Sequence, residues 1–167
     1  MNKLKKIFFI LVLSFTNIFL SGSRFFRIKN ILFRSIGIRV GDNSKIVGPI
    51  KIGTEANLTI GDECWIGRNF CVDGNGKVII GNCCDIAPEV IVATGSHIVG
   101  SKCRRAGKGT SFTTIIEDGC WVGIRSTIVE GSTIGKSCVI GACTLVNKDV
   151  NDSLLVAGVP AKIIKKL

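Results

Sequence analysis

The sequence has few of the residues from which metal sites and acid–base clusters are usually built. It contains one histidine, His97, and no tyrosine in 167 residues. A zinc site takes three or four Cys, His or carboxylate ligands at short spacings, and the eight cysteines include no CxxC pair. The sequence therefore predicts no metal, and it leaves a single candidate for imidazole chemistry.

Acidic residues are absent from the first 39 positions, which contain eight lysines and arginines. From residue 40 onward there are 14 basic and 12 acidic residues, so the formal net charge of +10 belongs mainly to the N-terminus. Aromatic residues make up only 7% of the chain. Without a basic stripe or aromatic residues interleaved with it, the body is not expected to bind nucleic acid.

The apolar run at residues 7–20 is shorter than the roughly 20 residues that a membrane span requires. We expect residues 1–38 to form a basic helical leader, for which three interpretations remain open. A charged start followed by a short apolar stretch is typical of a cleaved secretory signal. Apolar and basic residues alternate at helical spacing over residues 24–36, which is typical of a helix on an anionic membrane surface. A helix that packs on the body is the third interpretation.

The chain does contain a six-residue repeat. It runs through 17 positions, with two slips of two residues and one jump of 24, and every position is Ile, Leu or Val. A period of six fits neither a helix nor an alternating strand, and it predicts a solenoid with three flat faces per coil. Glycine follows many of these positions, as expected at corners that need a positive φ or close backbone approach. The repeat positions are Val40, Ile46, Ile52, Leu58, Ile60, Ile66, Val72, Val78, Ile80, Ile86, Val92, Ile116, Val122, Ile128, Ile134, Ile140 and Val146.

Four cysteines share one slot of the repeat, two residues before an aliphatic position, where serine and threonine also occur. These are Cys64, Cys84, Cys120 and Cys138. We expect them to be buried, reduced thiols that pack as small apolar groups, in a reducing cytoplasmic compartment.

The repeat, together with W-[IV]-G, I-G-A-x-[ST]-x-V-x-K-D and A-G-x-P-A-K elements in 115–150 and 156–167, resembles the hexapeptide-repeat acyltransferases. These elements are similar to maltose, galactoside and serine O-acetyltransferases and their exopolysaccharide relatives. The resemblance implies an all-β, left-handed parallel β-helix over residues 39–150, with a protruding loop at 97–113. It also implies a tail at 151–167 that packs on the coil, and a homotrimer with active sites between subunits.

The same resemblance implies the site residues. His97, in 94-TGSH-97, matches a catalytic histidine that acts as general base for a hydroxyl attacking acetyl-CoA. Asn69 matches an asparagine that helps to hold the acceptor, and its alternative is a corner residue that satisfies local backbone. Arg104 and Arg105 are expected to bind the acceptor or a coenzyme phosphate. The positions implied for coenzyme A are Gly123, Ile124, Gly141, Ala142, Asn147, Lys148, Lys162 and Lys165.

The loop after His97 and the leader are more similar to those of polysaccharide O-acetyltransferases than to those of the small-sugar enzymes. The expected function is transfer of acetyl from acetyl-CoA to a sugar hydroxyl in surface-polysaccharide biosynthesis. We expect the protein to act in the cytoplasm, at the inner face of a membrane that residues 1–36 contact. Serine or small-sugar acetylation and a non-catalytic membrane-associated scaffold are the alternatives. The γ-class carbonic anhydrases share the solenoid but require three metal-binding histidines, so a single His97 excludes them.

Overall fold

Two helices and 19 strands make up residues 2–167, the part of the chain that the computed structural model describes. Met1, the first residue of the expected leader, lies outside the described residues. Helices α1 and α2 span Lys3–Phe19 and Phe26–Ser35. The strands are β1 Arg39–Val40, β2 Lys45–Ile46, β3 Lys51–Ile52, β4 Asn57–Ile60, β5 Trp65–Ile66, β6 Cys71–Asp73, β7 Lys77–Ile80, β8 Asp85–Ile86, β9 Ile91–Ala93, β10 Gly95–Val99, β11 Ala106–Ser111, β12 Thr113–Ile116, β13 Trp121–Val122, β14 Thr127–Ile128, β15 Thr133–Ile134, β16 Val139–Ile140, β17 Leu145–Val146, β18 Leu154–Ala157 and β19 Lys162–Lys166.

The strands form three long sheets that run along a solenoid of about six turns, the left-handed β-helix that the sequence predicts. The sheet orders are β1-β4-β7-β12-β15, β2-β5-β8-β13-β16-β18-β19 and β3-β6-β9-β14-β17. Successive coils pair in parallel and in register, so that Val40 faces Ile60 and Ile80 faces Ile116. At the C-terminal end β19 turns back antiparallel to β18.

All 17 aliphatic repeat positions lie in the core, and none is more than 5% exposed. Most strands have only two residues, the first of which points outward and the second inward. Because each inward side chain stacks on its equivalents in the coils above and below, a continuous apolar column fills the solenoid. The prediction of an aliphatic interior is confirmed.

The corners of the coil have two structural requirements, a backbone with positive φ and a close approach between successive coils. Residues other than glycine adopt positive φ at several of them, including Asn43 (57°) and Glu63 (55°). The glycines that follow the aliphatic positions serve the second purpose, close approach between coils. A Cβ on Gly61 would lie 2.6 Å from the carbonyl carbon of Gly81 in the next coil. Of the two reasons that the sequence allows for these glycines, close stacking is the one that applies.

The four cysteines of the shared slot are buried and their thiols are free, as predicted. They also donate hydrogen bonds along the solenoid. Cys84 Sγ lies 3.1 Å from the backbone carbonyl oxygen of Glu117, and Cys120 Sγ lies 3.0 Å from the backbone carbonyl oxygen of Gly135. The neighbouring Cys120 thiol and burial raise the pKa of Cys84 to about 11. This thiol therefore stays protonated at neutral pH.

The leader closes the open edge of the first coil, whose backbone groups have no preceding coil to pair with. Asn17 satisfies both groups of Ile50, because its Nδ2 donates to the carbonyl at 2.7 Å and its Oδ1 accepts from the amide at 2.9 Å. Phe9 and Phe33 add apolar packing against the same coil. Three further carbonyls of the first coil, those of Gly48, Ser44 and Val40, accept hydrogen bonds from Gly22, Asn30 and Arg34 respectively.

Within residues 2–167 no helix has both the length and the apolar character needed to cross a bilayer.

Lys29 is a fully buried cation inside this leader. Its Nζ donates to the carbonyl of Gly22 at 2.8 Å and lies 4.7 Å from the centroid of the Phe26 ring. Burial lowers the pKa of Lys29 from 10.5 to about 8, because the surrounding atoms solvate the ammonium less well than water does.

We predict that the contribution of Lys29 to the stability of the folded chain rises with pH between about 8 and about 10.5. In that window the folded chain has lost the Lys29 proton while the unfolded chain still binds it, so the contribution of Lys29 to the free energy of unfolding increases, by no more than about 3.4 kcal/mol. Urea unfolding at several pH values should show the unfolding free energy of the wild type rising relative to that of Lys29→Met, a difference in which the opposite titration of buried thiols such as Cys84 cancels. Parallel profiles for the two proteins would contradict the prediction.

Candidate active site

The excursion that follows β9 is an ordered antiparallel hairpin of β10 and β11. Thr94, which is fully buried, anchors it to the coil. The Thr94 amide and hydroxyl both donate to the carbonyl of Asp73, each at 2.8 Å, and its hydroxyl accepts from the Gly76 amide at 3.0 Å. The returning chain closes the loop, because the Phe112 amide donates to the Thr94 carbonyl at 2.8 Å. The coil then resumes at β12, paired in register with β7.

His97 lies in the first strand of this hairpin with an exposed side chain, paired across the hairpin with Gly109. Its Nδ1 lies 2.9 Å from the carbonyl oxygen of Gly107. A carbonyl can only accept a hydrogen bond, so Nδ1 carries the proton of the neutral imidazole and Nε2 keeps its lone pair. The side chain is therefore held in the tautomer that a general base needs, with Nε2 as the basic atom.

Sequence alone does not identify Gly107 as the residue that orients His97. The signal that could have identified it is a pair of glycines, Gly100 directly after β10 and Gly107 in β11. A Cβ on Gly107 would lie 2.7 Å from the Ile98 carbonyl oxygen and 3.2 Å from the Gly100 Cα. The narrow hairpin thus requires glycine at this position, and the narrowness places the carbonyl against the ring.

Arg104 and Arg105 lie in the exposed turn between β10 and β11. The Arg105 guanidinium donates to the Gly100 carbonyl at 3.4 Å, and the Gly100 amide donates to the Arg105 carbonyl at 2.8 Å. Neither arginine hydrogen bonds to His97 within residues 2–167. The structure therefore places them at the basic tip of the hairpin, beyond the imidazole.

Asn69 occupies a corner of the second coil in the left-handed region, with φ of 58°. Its amide donates to the carbonyl of Pro49 in the first coil at 2.6 Å. Asparagine tolerates this backbone conformation better than most residues, so the corner explains the residue type. Its contact with an acceptor stays a prediction.

The glycines expected to approach coenzyme A stack on one corner of successive coils. A Cβ on Gly123 would lie 2.6 Å from the Ala142 amide nitrogen, and one on Gly141 would lie 2.8 Å from the Ala157 Cβ. Ile124, on the same corner, is 41% exposed. These glycines therefore serve close stacking between coils: Gly123 is buried and Gly141 half-buried, while Ile124 and Ala142 are exposed beside them.

Two of the predicted lysines meet in one cleft beside the tail. Lys148 and Lys162 line this cleft of about 420 Å³, together with Asp149 and Ile163. Lys165 lies further along the same exposed strand as Lys162.

The hairpin and the segment of Asn147 and Lys148 follow strands of the same sheet, whereas Lys162 and Lys165 lie on β19 in a neighbouring sheet. Strands β9 and β17, which precede His97 and Asn147 respectively, are separated only by β14. At about 4.8 Å per strand, the two lie about 10 Å apart. Across residues 2–167 no three His, Cys, Asp or Glu side chains are grouped as metal ligands would be.

Comparisons with known proteins agree with this geometry. The family model described as bacterial transferase hexapeptide (six repeats) matches residues 113–148. The chain is 31% identical to a galactoside O-acetyltransferase of Escherichia coli strain K12, over 81% of this chain and 67% of that protein. It is 28% identical to a putative colanic acid biosynthesis acetyltransferase of the same organism, over 84% of this chain and 76% of the relative.

A solved structure covers nearly the whole fold. It is a hexapeptide-repeat-containing acetyltransferase of Vibrio cholerae in complex with acetyl-coenzyme A. It has a TM-score of 0.85 and 27% identity, over 99% of this chain and 88% of that one. The similarity includes the leader as well as the solenoid.

We predict that Gly107→Ala weakens the hydrogen bond to His97, because the added Cβ would displace the strand that carries the carbonyl. The matched control is Gly109→Ala, since a Cβ at position 109 meets no atom within 4 Å. Since untagged protein has one histidine, ¹⁵N NMR of the ring reports its tautomer directly. The wild type and Gly109→Ala should show a protonated Nδ1, and Gly107→Ala a mixture of tautomers. A wild-type spectrum with the proton on Nε2 would contradict the assignment.

Proposed function

Because this chain belongs to the hexapeptide-repeat O-acetyltransferase family, we propose that it transfers acetyl from acetyl-CoA to a hydroxyl group of a glycan. The observation that carries this proposal is the hydrogen bond from His97 Nδ1 to the Gly107 carbonyl, which leaves Nε2 free to accept a proton. A histidine that is only solvated would leave its ring free to rotate, whereas the hairpin holds the His97 ring in one orientation.

In the proposed reaction His97 acts as general base. Nε2 takes the proton of the acceptor hydroxyl while the oxygen attacks the thioester carbonyl carbon. The tetrahedral intermediate collapses by breaking the carbon–sulfur bond, and the coenzyme thiolate takes the proton back from the imidazolium. The products are an O-acetyl ester and coenzyme A, and the histidine returns to its starting tautomer.

We propose that acetyl-CoA lies along the C-terminal coils. The exposed corner at Ile124 and Ala142, where Gly123 and Gly141 let the coils stack closely, would let the extended pantetheine arm lie against the solenoid. Lys148 and Lys162 in their shared cleft, with Lys165 beyond, would supply point charges for the phosphates. The Vibrio cholerae structure, which contains acetyl-coenzyme A on the same fold, supports acetyl-coenzyme A as the ligand.

The proposed active enzyme is a homotrimer. The hairpin carries His97 exposed to solvent, and its tip at Arg104 and Arg105 is exposed as well. A neighbouring solenoid packed against this face would enclose the imidazole and bring its own C-terminal coils to the site. The acceptor and the coenzyme would then meet between two subunits.

A surface polysaccharide is the acceptor class that the observations favour. The basic tip of the hairpin, Lys102, Arg104, Arg105 and Lys108, suits an anionic glycan, and one relative is named for colanic acid biosynthesis. A small galactoside is the second candidate, because the 31% identical relative is a galactoside O-acetyltransferase.

We also propose that residues 1–36 hold the enzyme in peripheral contact with a membrane, on the cytoplasmic side. The basic N-terminus, which contains no acid in 39 residues, supports the contact. The eight free cysteines support a reducing compartment.

We predict that His97→Ala lowers the rate of coenzyme A release from acetyl-CoA and a glycan acceptor by at least about 100-fold, the usual contribution of a general base. A thiol-reactive dye measures the product. Ser96→Ala, one position earlier in the same strand, is the control and should keep the wild-type rate. Turnover of His97→Ala within about threefold of the wild type would refute the general-base role.

We predict that Lys162→Gln and Lys165→Gln each raise KM for acetyl-CoA by about three- to tenfold while kcat changes little, because each removes one exposed charge from a phosphate contact. Lys166→Gln is the matched control on the same exposed strand. Steady-state kinetics at low ionic strength test this, since salt screens such contacts. If KM for acetyl-CoA is the same in all three variants, Lys162 and Lys165 do not bind the coenzyme phosphates.

A further inference from the structure

Exposed apolar side chains are concentrated on the leader. Among residues 2–167, 21 large apolar side chains are exposed, and 11 of these lie within residues 4–31. Contiguous apolar surface of this kind marks an interface in a soluble protein. We define the leader face as Leu4, Ile7, Phe8, Ile10, Leu11, Phe15, Ile18, Phe19, Phe25, Ile28 and Ile31.

We infer that the leader face is a docking surface for an anionic lipid bilayer. The inference gives a surface and a lipid chemistry to the membrane contact of the proposed function, and it does not depend on the acyl-transfer chemistry.

The arrangement of the apolar residues on α1 is the first argument. Leu4, Phe8, Leu11, Phe15 and Ile18 follow one another at steps of four and three residues, so they form one stripe along the helix. Each of them is between 48% and 77% exposed. At 1.5 Å per residue the stripe is about 21 Å long.

The opposite side of α1 is already occupied. Phe9 and Thr16 are buried, and Asn17 pairs with the backbone of Ile50 in the first coil. The core therefore accounts for one side of the helix and leaves the apolar stripe without a partner. A helix held by one side against the protein can lie in a bilayer surface with the other.

Charge is the second argument, and it selects anionic lipid. Lys3, Lys5, Arg24 and Arg27 border the leader face, all four are exposed, and none forms an ion pair within residues 2–167. Basic residues beside an apolar helical face are the combination that binds anionic headgroups.

The composition of the face favours lipid over a protein partner. Its 11 residues are Leu, Ile and Phe, whose side chains have no hydrogen-bonding groups. Protein interfaces make about one hydrogen bond per 100–200 Å², so they need donors and acceptors among their side chains. The apolar interior of a lipid leaflet requires no such groups.

The position of the leader gives the contact a use. It lies on the first coil, and the His97 hairpin leaves from β9, two strands above β3 in the same sheet. At about 4.8 Å per strand the hairpin root lies about 10 Å above the first coil. A solenoid that stands on the leader face would thus hold the imidazole within reach of a glycan anchored in the same bilayer.

Sedimentation with lipid vesicles tests the inference. The full-length protein should bind vesicles that contain phosphatidylglycerol at least about tenfold more tightly than vesicles of phosphatidylcholine alone, and high salt should weaken the binding. The triple variant Phe8→Ser/Leu11→Ser/Phe15→Ser should lose at least about tenfold in partition, because all three side chains belong to the apolar stripe. Point variants replace a deletion of the leader, since the leader closes the first coil.

The matched control is Val159→Ser/Ile164→Ser, which removes equally exposed apolar side chains at the other end of the solenoid. It should bind vesicles as the wild type does. Wild-type binding that ignores lipid charge, or a triple variant that binds normally, would overturn the inference. A triple variant that changes oligomeric state in analytical ultracentrifugation but binds vesicles normally would also overturn it, because the face would then join copies of the chain.

Acetyl transfer to a soluble glycan, measured without vesicles, separates the two proposals. The triple variant should match the wild type in this assay, because the stripe lies outside the active site. If the wild type binds anionic vesicles but His97 proves dispensable for transfer, the lipid inference stands and the general-base proposal fails.

Discussion

Hydrogen bonding between successive coils, in register, is the constraint on which the rest of this structure depends. Because each coil must present its backbone groups to the next, the chain has to place a small or aliphatic residue at fixed intervals, and close stacking at Gly61 excludes even a Cβ. The same constraint creates two open ends. Asn17 closes one of them by imitating the hydrogen bonds of a missing strand, and the antiparallel return of β19 onto β18 covers the other.

The site depends on an interruption that respects this constraint. Thr94 uses its amide, hydroxyl and carbonyl to fasten both ends of the hairpin to the coil, so 18 residues from Gly95 to Phe112 leave the solenoid without shifting Ile116 from its place over Ile80. Within the hairpin a second close approach, between Gly100 and Gly107, sets the position of the carbonyl that holds His97. Rigid stacking in the coil and a narrow hairpin thus give the imidazole one orientation.

The sequence predicts the solenoid well, because its signal is one residue class at one spacing and each position is read independently. A motif singles out His97 as a candidate catalytic residue, but the sequence does not predict the hydrogen-bond partner of its Nδ1. That partner is a backbone carbonyl, which every residue type has, and the hairpin register does not follow from the repeat. The leader is the opposite case. Helix α1 is apolar on nearly every side, so no periodicity distinguishes Phe9, which is buried, from Phe8, which is exposed. Only the fold separates the two faces, and for that reason packing on the coil and docking on a membrane are compatible.

The repeating coil also makes the height of the active site a discrete quantity. Each coil adds one strand to every sheet, and strands are spaced by about 4.8 Å. The distance from the leader to the hairpin can therefore change only in whole steps, by gain or loss of a coil between Ile52 and Val92. The number of coils below the hairpin thus sets the height of His97 above the leader.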